Sequence, residues 1–144
     1  MGEINTGRST PSRPSGPVTI GGLARASEVG VETVRYYQRR RLLPVPSSAG
    51  GVRRYPASLI NRIRFIKRSQ HLGFTLDEIR ELLRLEEGGK RGEIRGVANS
   101  RLKSIREKIH DLERMEAVLA QLVHNCEVAN ALAPCPIIAA LSDQ

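Results

Sequence analysis

Residues 18–43 read VTIGGLARASEVGVETVRYYQRRRLL, and the order of polar, small and apolar residues in this stretch decides the fold. Thr19 stands ahead of Leu23, Ala24 and Ala26, where its hydroxyl can accept from an orphaned amide and cap a short helix. Gly30 marks a tight turn, and a second helix is expected from about Val31 to Arg39. Val31, Val34 and Tyr37 recur at three- and four-residue spacing and form the core stripe of that helix. Glu32, Thr33, Arg35 and Tyr36 are left elsewhere around it. Two short helices across a glycine-containing turn give the outline of a helix-turn-helix.

Moving outward, PVPSSAGGVRRYP (residues 44–56) cannot be helical, because its prolines and Gly50-Gly51 break the pattern. Val52-Arg53-Arg54-Tyr55 is a short extended run, and we expect a small hairpin, or wing, with Arg53 and Arg54 on or beside its returning strand. Opposite pleat faces separate the two arginines, so only one of them is placed to reach a DNA backbone directly. Ala57–Leu72 reads as a helix with Leu59, Ile60, Ile63, Ile66 and Leu72 as its apolar set; Arg62, Arg64, Lys67 and Arg68 are expected to keep its exposed surface basic. Gly73 ends it. Thr75 and Glu78 form a capping-box pattern for the next helix, about 76–86, which buries Leu76, Ile79, Leu82, Leu83 and Leu85 and stops at Gly88-Gly89.

From about Ile94 to Cys126 there is no proline, and after Gly96 no glycine. Leu102, Ile105, Ile109, Leu112, Glu116, Leu119, Val123 and Cys126 alternate three- and four-residue steps, the rhythm of a coiled coil, interrupted at Glu116 where Met115 can contribute. A helix over 97–125 would run roughly 43 Å at about 1.5 Å per residue. Little remains in a chain of 144 residues to cover such a stripe, so a second copy in a C2 homodimer is the economical partner. Docking within the chain is the plainer alternative.

Charge is distributed unevenly. Residues 1–72 carry 13 basic and 3 acidic side chains; residues 73–144 carry 10 and 12. The first half is therefore the half suited to a polyanion. No apolar run is long enough for a membrane span, and the first residues lack a signal-peptide core, so a cytoplasmic protein without a membrane partner is expected. Two cysteines make no disulfide scaffold. Residues 1–17 have the composition of a disordered tail; Arg8 and Arg13 add weak phosphate attraction at most. No nucleophile–base constellation or acid pair suggests an enzyme.

After the long helix, Cys126 and Cys135 bound a small loop, Pro134 and Pro136 restrict the chain around the second thiol, and Ile137–Leu141 can form a closing helix. Two thiolates so placed can grip a thiophilic ion or form a redox-sensitive pair, and incidental thiols remain an open reading. They are too few for a four-cysteine iron–sulfur cluster. His124 lies two residues before Cys126, off its helix face, and is at most an auxiliary ligand. His71 and His110 read as structural or exposed, and the three histidines have no zinc spacing.

The stretches TIGGLARASEVGVETVRYYQRRRLL, GGVRRY, RIRFIKRSQHLGFTLDEIRELLRLEEG and LKSIREKIHDLERMEAVLAQLV, followed by C-x8-C-P, closely resemble the MerR family of bacterial regulators, its mercury-responsive branch above all. The resemblance covers residues 18–141. It implies a mainly α fold: a winged helix-turn-helix domain, a long antiparallel dimerisation helix, and a short C-terminal effector loop and helix. It divides the chain into a tail (1–17), a DNA-binding region (18–87), a linker (88–96), a dimerisation helix (97–126) and an effector segment (127–144).

The resemblance further implies a homodimer that binds promoter DNA, acts with RNA polymerase as repressor and activator, and signals by distorting the DNA. By analogy Thr33, Arg35 and Tyr36 of the second helix and Arg53 and Arg54 of the wing are the DNA-binding residues, with Tyr55 supporting the wing. The mercury-responsive branch holds its ion with three thiolates: one from the start of one subunit's long helix and two from the loop of the other. Cys126 and Cys135 match the pair, whereas the register set by LRLEEG puts Arg91 where the first ligand would be. Arginine cannot ligate a cation. Three outcomes stay open: Hg(II), ranked first, or Cu(I), Ag(I) or Au(I) on two thiolates; an altered, thiol-reactive or oxidising effector; or an anionic adduct recognised through Arg91. A constitutive architectural DNA binder is the rival from another class.

Overall fold

The computed structural model describes residues 14–48 and 50–143. The expected tail falls mostly outside them, Arg8 and Arg13 included. Among the described residues six helices follow in order: α1 (Ile20–Ala26), α2 (Val31–Arg39), α3 (Leu59–His71), α4 (Leu76–Glu86), α5 (Arg91–Val128) and α6 (Pro136–Ser142). The chain divides into two units within α5, at Ile94 and Arg95.

In the first unit, the Thr19 hydroxyl accepts from the Gly22 amide at 3.2 Å and starts α1. Thr75 and Glu78 exchange side-chain and backbone hydrogen bonds, both 3.2 Å, and start α4 with a complete capping box. Leu23, Val34, Leu42, Ile60, Ile63, Ile66 and Ile79 are fully buried in one core. Each such side chain contributes about 1.5–3 kcal/mol over leaving it in water. Leu72, expected in the apolar set of α3, lies past the helix end and is 63% exposed.

Three helices end the same way with different residues. After α1, Glu28 takes φ 58° and the Val29 amide donates back to Ala24 O at 3.0 Å. After α2, Arg41 takes φ 58° and Leu42 donates to Tyr37 O at 2.9 Å; after α3, Gly73 takes φ 86° and Phe74 donates to Ser69 O at 3.1 Å. These are left-handed caps of the Schellman type. The tight turn expected at Gly30 is therefore made by Glu28, and Gly30, at φ −77°, is the N-cap of α2.

The basic residues of α3 do not simply face water. Arg62 Nε donates to Leu42 O at 2.8 Å, Arg64 to Ala26 O at 2.9 Å and Lys67 Nζ to Glu28 O at 3.0 Å. From α4, Arg80 donates to Arg40 O. Each cation neutralises a carbonyl at the end of α1 or α2, where the helix dipole leaves negative charge.

Two further expectations change. The segment 44–56 does not pair as a hairpin: among the described residues the extended pairing is a single antiparallel bridge, Val18 with Tyr55, closed by hydrogen bonds of 2.9 and 2.7 Å. The linker drawn over 88–96 is largely helix, because α5 starts at Arg91 rather than near 97. Gly92 and Gly96 fall in its first turns. The break is Gly88-Gly89, and a Cβ on Gly89 would lie 2.5–2.7 Å from Leu85 atoms, so glycine is required there.

The second unit consists of the rest of α5 and α6. α5 has 38 residues, about 57 Å at about 1.5 Å each, and none is buried. Leu102, Ile105, Ile109, Leu112, Met115, Leu119 and Val123 all stand exposed along it.

Candidate nucleic-acid interface and thiol site

A cleft of about 430 Å³ opens between α2 and the segment leading to Tyr55; its walls include Arg35 and Arg39 of α2 and Arg53 of the wing segment. Gln38 fixes this geometry. Its Nε2 donates to Tyr55 Oη at 3.1 Å and to Pro44 O at 3.3 Å, tying α2 to both ends of the wing segment. Tyr55 is 3% exposed, so its ring anchors the segment from inside while neighbouring arginines stay at the surface.

Of the five residues expected at DNA, the structure brings Arg35 and Arg53 into this cleft. Arg54 is exposed and is not one of the cleft's lining residues. Tyr36 is 41% exposed on α2, its ring 6.1 Å from that of Tyr37. Thr33 is half-buried, its amide donating to Gly30 O at 3.1 Å. Arg39 was missed, although it falls four residues after Arg35 and so shares its helix face. Glu32 shares that face too and accepts from Arg35 at 2.9 Å, which dims part of the positive charge there.

The thiols lie at the other end of the sequence. Cys126 is in the last turn of α5, Cys135 immediately precedes α6, and both are free and exposed. Between them Asn130 makes the turn: its side-chain oxygen accepts from Leu132 N at 3.2 Å and its carbonyl from Ala133 N at 2.9 Å. The two thiols influence each other's ionisation. The Ile138 and Ile137 amides, and then the Cys126 thiol, pull Cys135 below the ordinary thiol range. The hydrogen bond to Cys135, followed by its charge, pushes Cys126 up. Cys135 is therefore the first of the pair to ionise.

His124 is exposed on α5. Arg91 is the first residue of α5 and Cys126 lies 35 positions along the same helix, so within one chain they stand at opposite ends of it. Among the described residues no group of three or more His, Cys, Asp and Glu side chains could hold a metal. No described helix is long and apolar enough to cross a membrane.

Comparison with known proteins agrees along most of the chain. Residues 18–86 match the MerR HTH family regulatory protein model, and residues 60–122 match the model described as MerR, DNA binding. The mercuric resistance operon regulatory protein of Pseudomonas fluorescens is 50% identical over 125 residues, covering 86% of this chain and 87% of that protein. Its counterpart from Serratia marcescens is 47% identical over 128 residues, covering 88% and 89%. Among solved structures, a transcription regulator from Ralstonia metallidurans in complex with lead(II) superposes with a TM-score of 0.76 at 32% identity, over 87% of this chain and 99% of that one. A regulator from Bacillus megaterium in complex with mercury(II) gives 0.66 at 34% identity, over 84% and 95%.

Proposed function

The chain belongs to the MerR family of metal-responsive transcriptional regulators, and on that premise we propose that its effector is Hg(II), held by the thiolates of Cys126 and Cys135. The observation that carries this reading is the placement of the chain's two cysteines, both free and exposed, one in the last turn of α5 and the other immediately before α6. Two soft sulfur donors suit a soft ion that accepts two ligands, which Hg(II) does. The mercuric resistance regulators among its relatives support the same ion.

The remaining parts follow from the charge and the unburied helix. Arg35 and Arg53, with Arg39 beside them, contact the operator backbone of promoter DNA; Tyr36, Thr33 and Arg54 lie around that footprint. The exposed apolar row of α5 is covered by the same row of a second chain running antiparallel, which gives a homodimer. In that arrangement Arg91 of one chain comes towards the thiol pair of the other. There it supplies a fixed positive charge in place of a third sulfur, and His124 remains an auxiliary group beside the thiols. Effector binding alters the spacing and twist of the promoter that RNA polymerase reads, so the protein acts as both repressor and activator in the cytoplasm.

A specific observation favours a second reading. With two thiols and no third ligand grouped with them among the described residues, the site also suits Cu(I), Ag(I) or Au(I), which take two sulfurs readily. Operator-dependent transcription measured across a panel of metals separates the two. Induction by Hg(II), lost in Cys126→Ser and Cys135→Ser while operator binding persists, is the expected result. Induction by Cu(I) or Au(I) and not by Hg(II) overturns the choice of ion. Induction unchanged in both serine variants overturns the thiolate site and returns the protein to a different effector or to an architectural role.

A further inference from the structure

The cleft beside α2 is walled by more than guanidiniums. Ile20, Val45 and Val52 line it together with Arg35, Arg39 and Arg53. Val52 is 74% exposed, the most exposed of the large apolar side chains described in the first unit, and Val45 is more than half exposed. One exposed valine on a surface calls for no explanation. Two that line the same cleft as three arginines do, because a site for phosphate alone gains nothing from aliphatic walls.

Their position follows from the anchors of the wing segment. Val45 directly follows Pro44, whose carbonyl accepts from Gln38; Val52 stands three residues ahead of Tyr55, whose hydroxyl accepts from the same amide. The core takes neither valine, since both lie outside the buried cluster and the residues packed against it. Folding thus leaves two aliphatic side chains in water, one on each limb of a single segment, at a positively charged cleft.

We propose that Val45 and Val52 pack against the deoxyribose of the DNA strand whose phosphates the cleft arginines hold. This rests on the reading of the cleft as the DNA face and names the second half of what it grips. A DNA strand alternates an anionic phosphate with a sugar whose C2′ is a methylene, and the cleft offers a partner for each. A free phosphate or an acidic peptide side chain would use the arginines and leave the valines in water. The contact also discriminates. A ribose 2′-hydroxyl pressed against valine loses water and gains no acceptor or donor, so the site favours DNA over RNA. Apolar burial releases no counterions, so this share of the affinity does not fade with salt as the arginine share does.

The test uses the whole chain and the duplex it selects from a random-sequence library, with fluorescence anisotropy read across a salt series. Val52→Ser is expected to weaken binding about fivefold for each wing at every salt concentration, with the slope against log salt unchanged. Val52→Ile keeps the aliphatic surface and is expected to bind as wild type does. A single ribonucleotide, moved along one strand, is expected to weaken wild type where the sugar meets the wing and to make no further difference there to Val52→Ser. Full affinity in Val52→Ser, equal weakening in Val52→Ile, or a ribonucleotide scan alike in wild type and Val52→Ser overturns the sugar contact. A slope made shallower in Val52→Ser, as expected for Arg53→Gln, overturns it too, because the wing arginine has then moved. Arg35→Gln and Arg53→Gln that both keep wild-type affinity and slope refute instead the reading of the cleft as the DNA face.

Discussion

Two populations of arginine sit within one small domain, and replacing one member of each should produce opposite phenotypes. Between residues 18 and 72 there are 11 basic side chains. Arg62, Arg64 and Lys67 are spent on carbonyls at helix ends, whereas Arg35, Arg39 and Arg53 line an open cleft. Neutralising Z phosphates gives log K a slope of about −0.9Z against log salt. Three cleft arginines in each of two chains predict a slope of roughly −5 from this source alone, and Arg53→Gln should make it shallower by about 2. Over a fourfold rise in salt, wild type should then lose about tenfold more affinity than the variant.

Arg64→Met should do the reverse. It keeps the apolar stem but leaves Ala26 O without its 2.9 Å partner. Losing a charge-assisted bond in a half-buried place costs about 1 kcal/mol, a fall in Tm of roughly 4 °C. Its salt slope should stay at the wild-type value. Fluorescence anisotropy of labelled operator DNA across a salt series, with thermal unfolding of the same proteins, reads both quantities. A slope in Arg64→Met reduced as far as in Arg53→Gln, or a slope unchanged in Arg53→Gln, refutes the division.

Ser27 is 1% exposed and its hydroxyl has no hydrogen-bond partner, so Ser27→Ala should leave stability unchanged or raise it by up to ~1 kcal/mol in urea unfolding; a clear loss contradicts this. Tyr37, 3% exposed, donates to Gln70 Oε1 at 2.6 Å; burial, and secondarily Tyr36, raise its pKa above the ordinary 10.0. Folding therefore favours its protonated form. That contribution is complete below the unfolded value and is lost as pH climbs through the raised folded one. Tyr37→Phe should flatten the alkaline decline in stability, and an equally steep decline in the variant assigns it to another group.

Local chemistry carried a long way in this sequence. Thr19 and Thr75 with Glu78 announce helix starts because capping depends on residues within one turn. The buried stripes of α2, α3 and α4 follow from three- and four-residue spacing alone. What escaped was non-local or a matter of backbone strain. Nothing near Arg64 in sequence says that its guanidinium will meet a carbonyl 38 residues earlier. Glu28 and Arg41 accept left-handed backbone that glycine would take more easily, because Leu42 and the rest of the core hold the turns in place, so Gly30 drew the turn to the wrong residue. The wing lost its hairpin because Tyr55 found Val18 as a partner across the domain. At the candidate sites, helical spacing could have put Arg39 beside Arg35 although the sequence reading passed it over, whereas the chain reversal between the two thiols depends on the Asn130 turn.

The Val18–Tyr55 bridge has a consequence for how the domain opens. It clasps the residues just ahead of α1 to the far end of the segment that carries Arg53, and Gln38 pins the same tyrosine from α2. Amide exchange at Val18 and Tyr55 should thus report one shared opening, and a truncation reaching past Val18 should loosen a loop more than thirty residues away. In the proposed DNA complex, Arg53 would meet the backbone from a segment already anchored two residues away at Tyr55, so that anchoring belongs to folding and is not charged against binding.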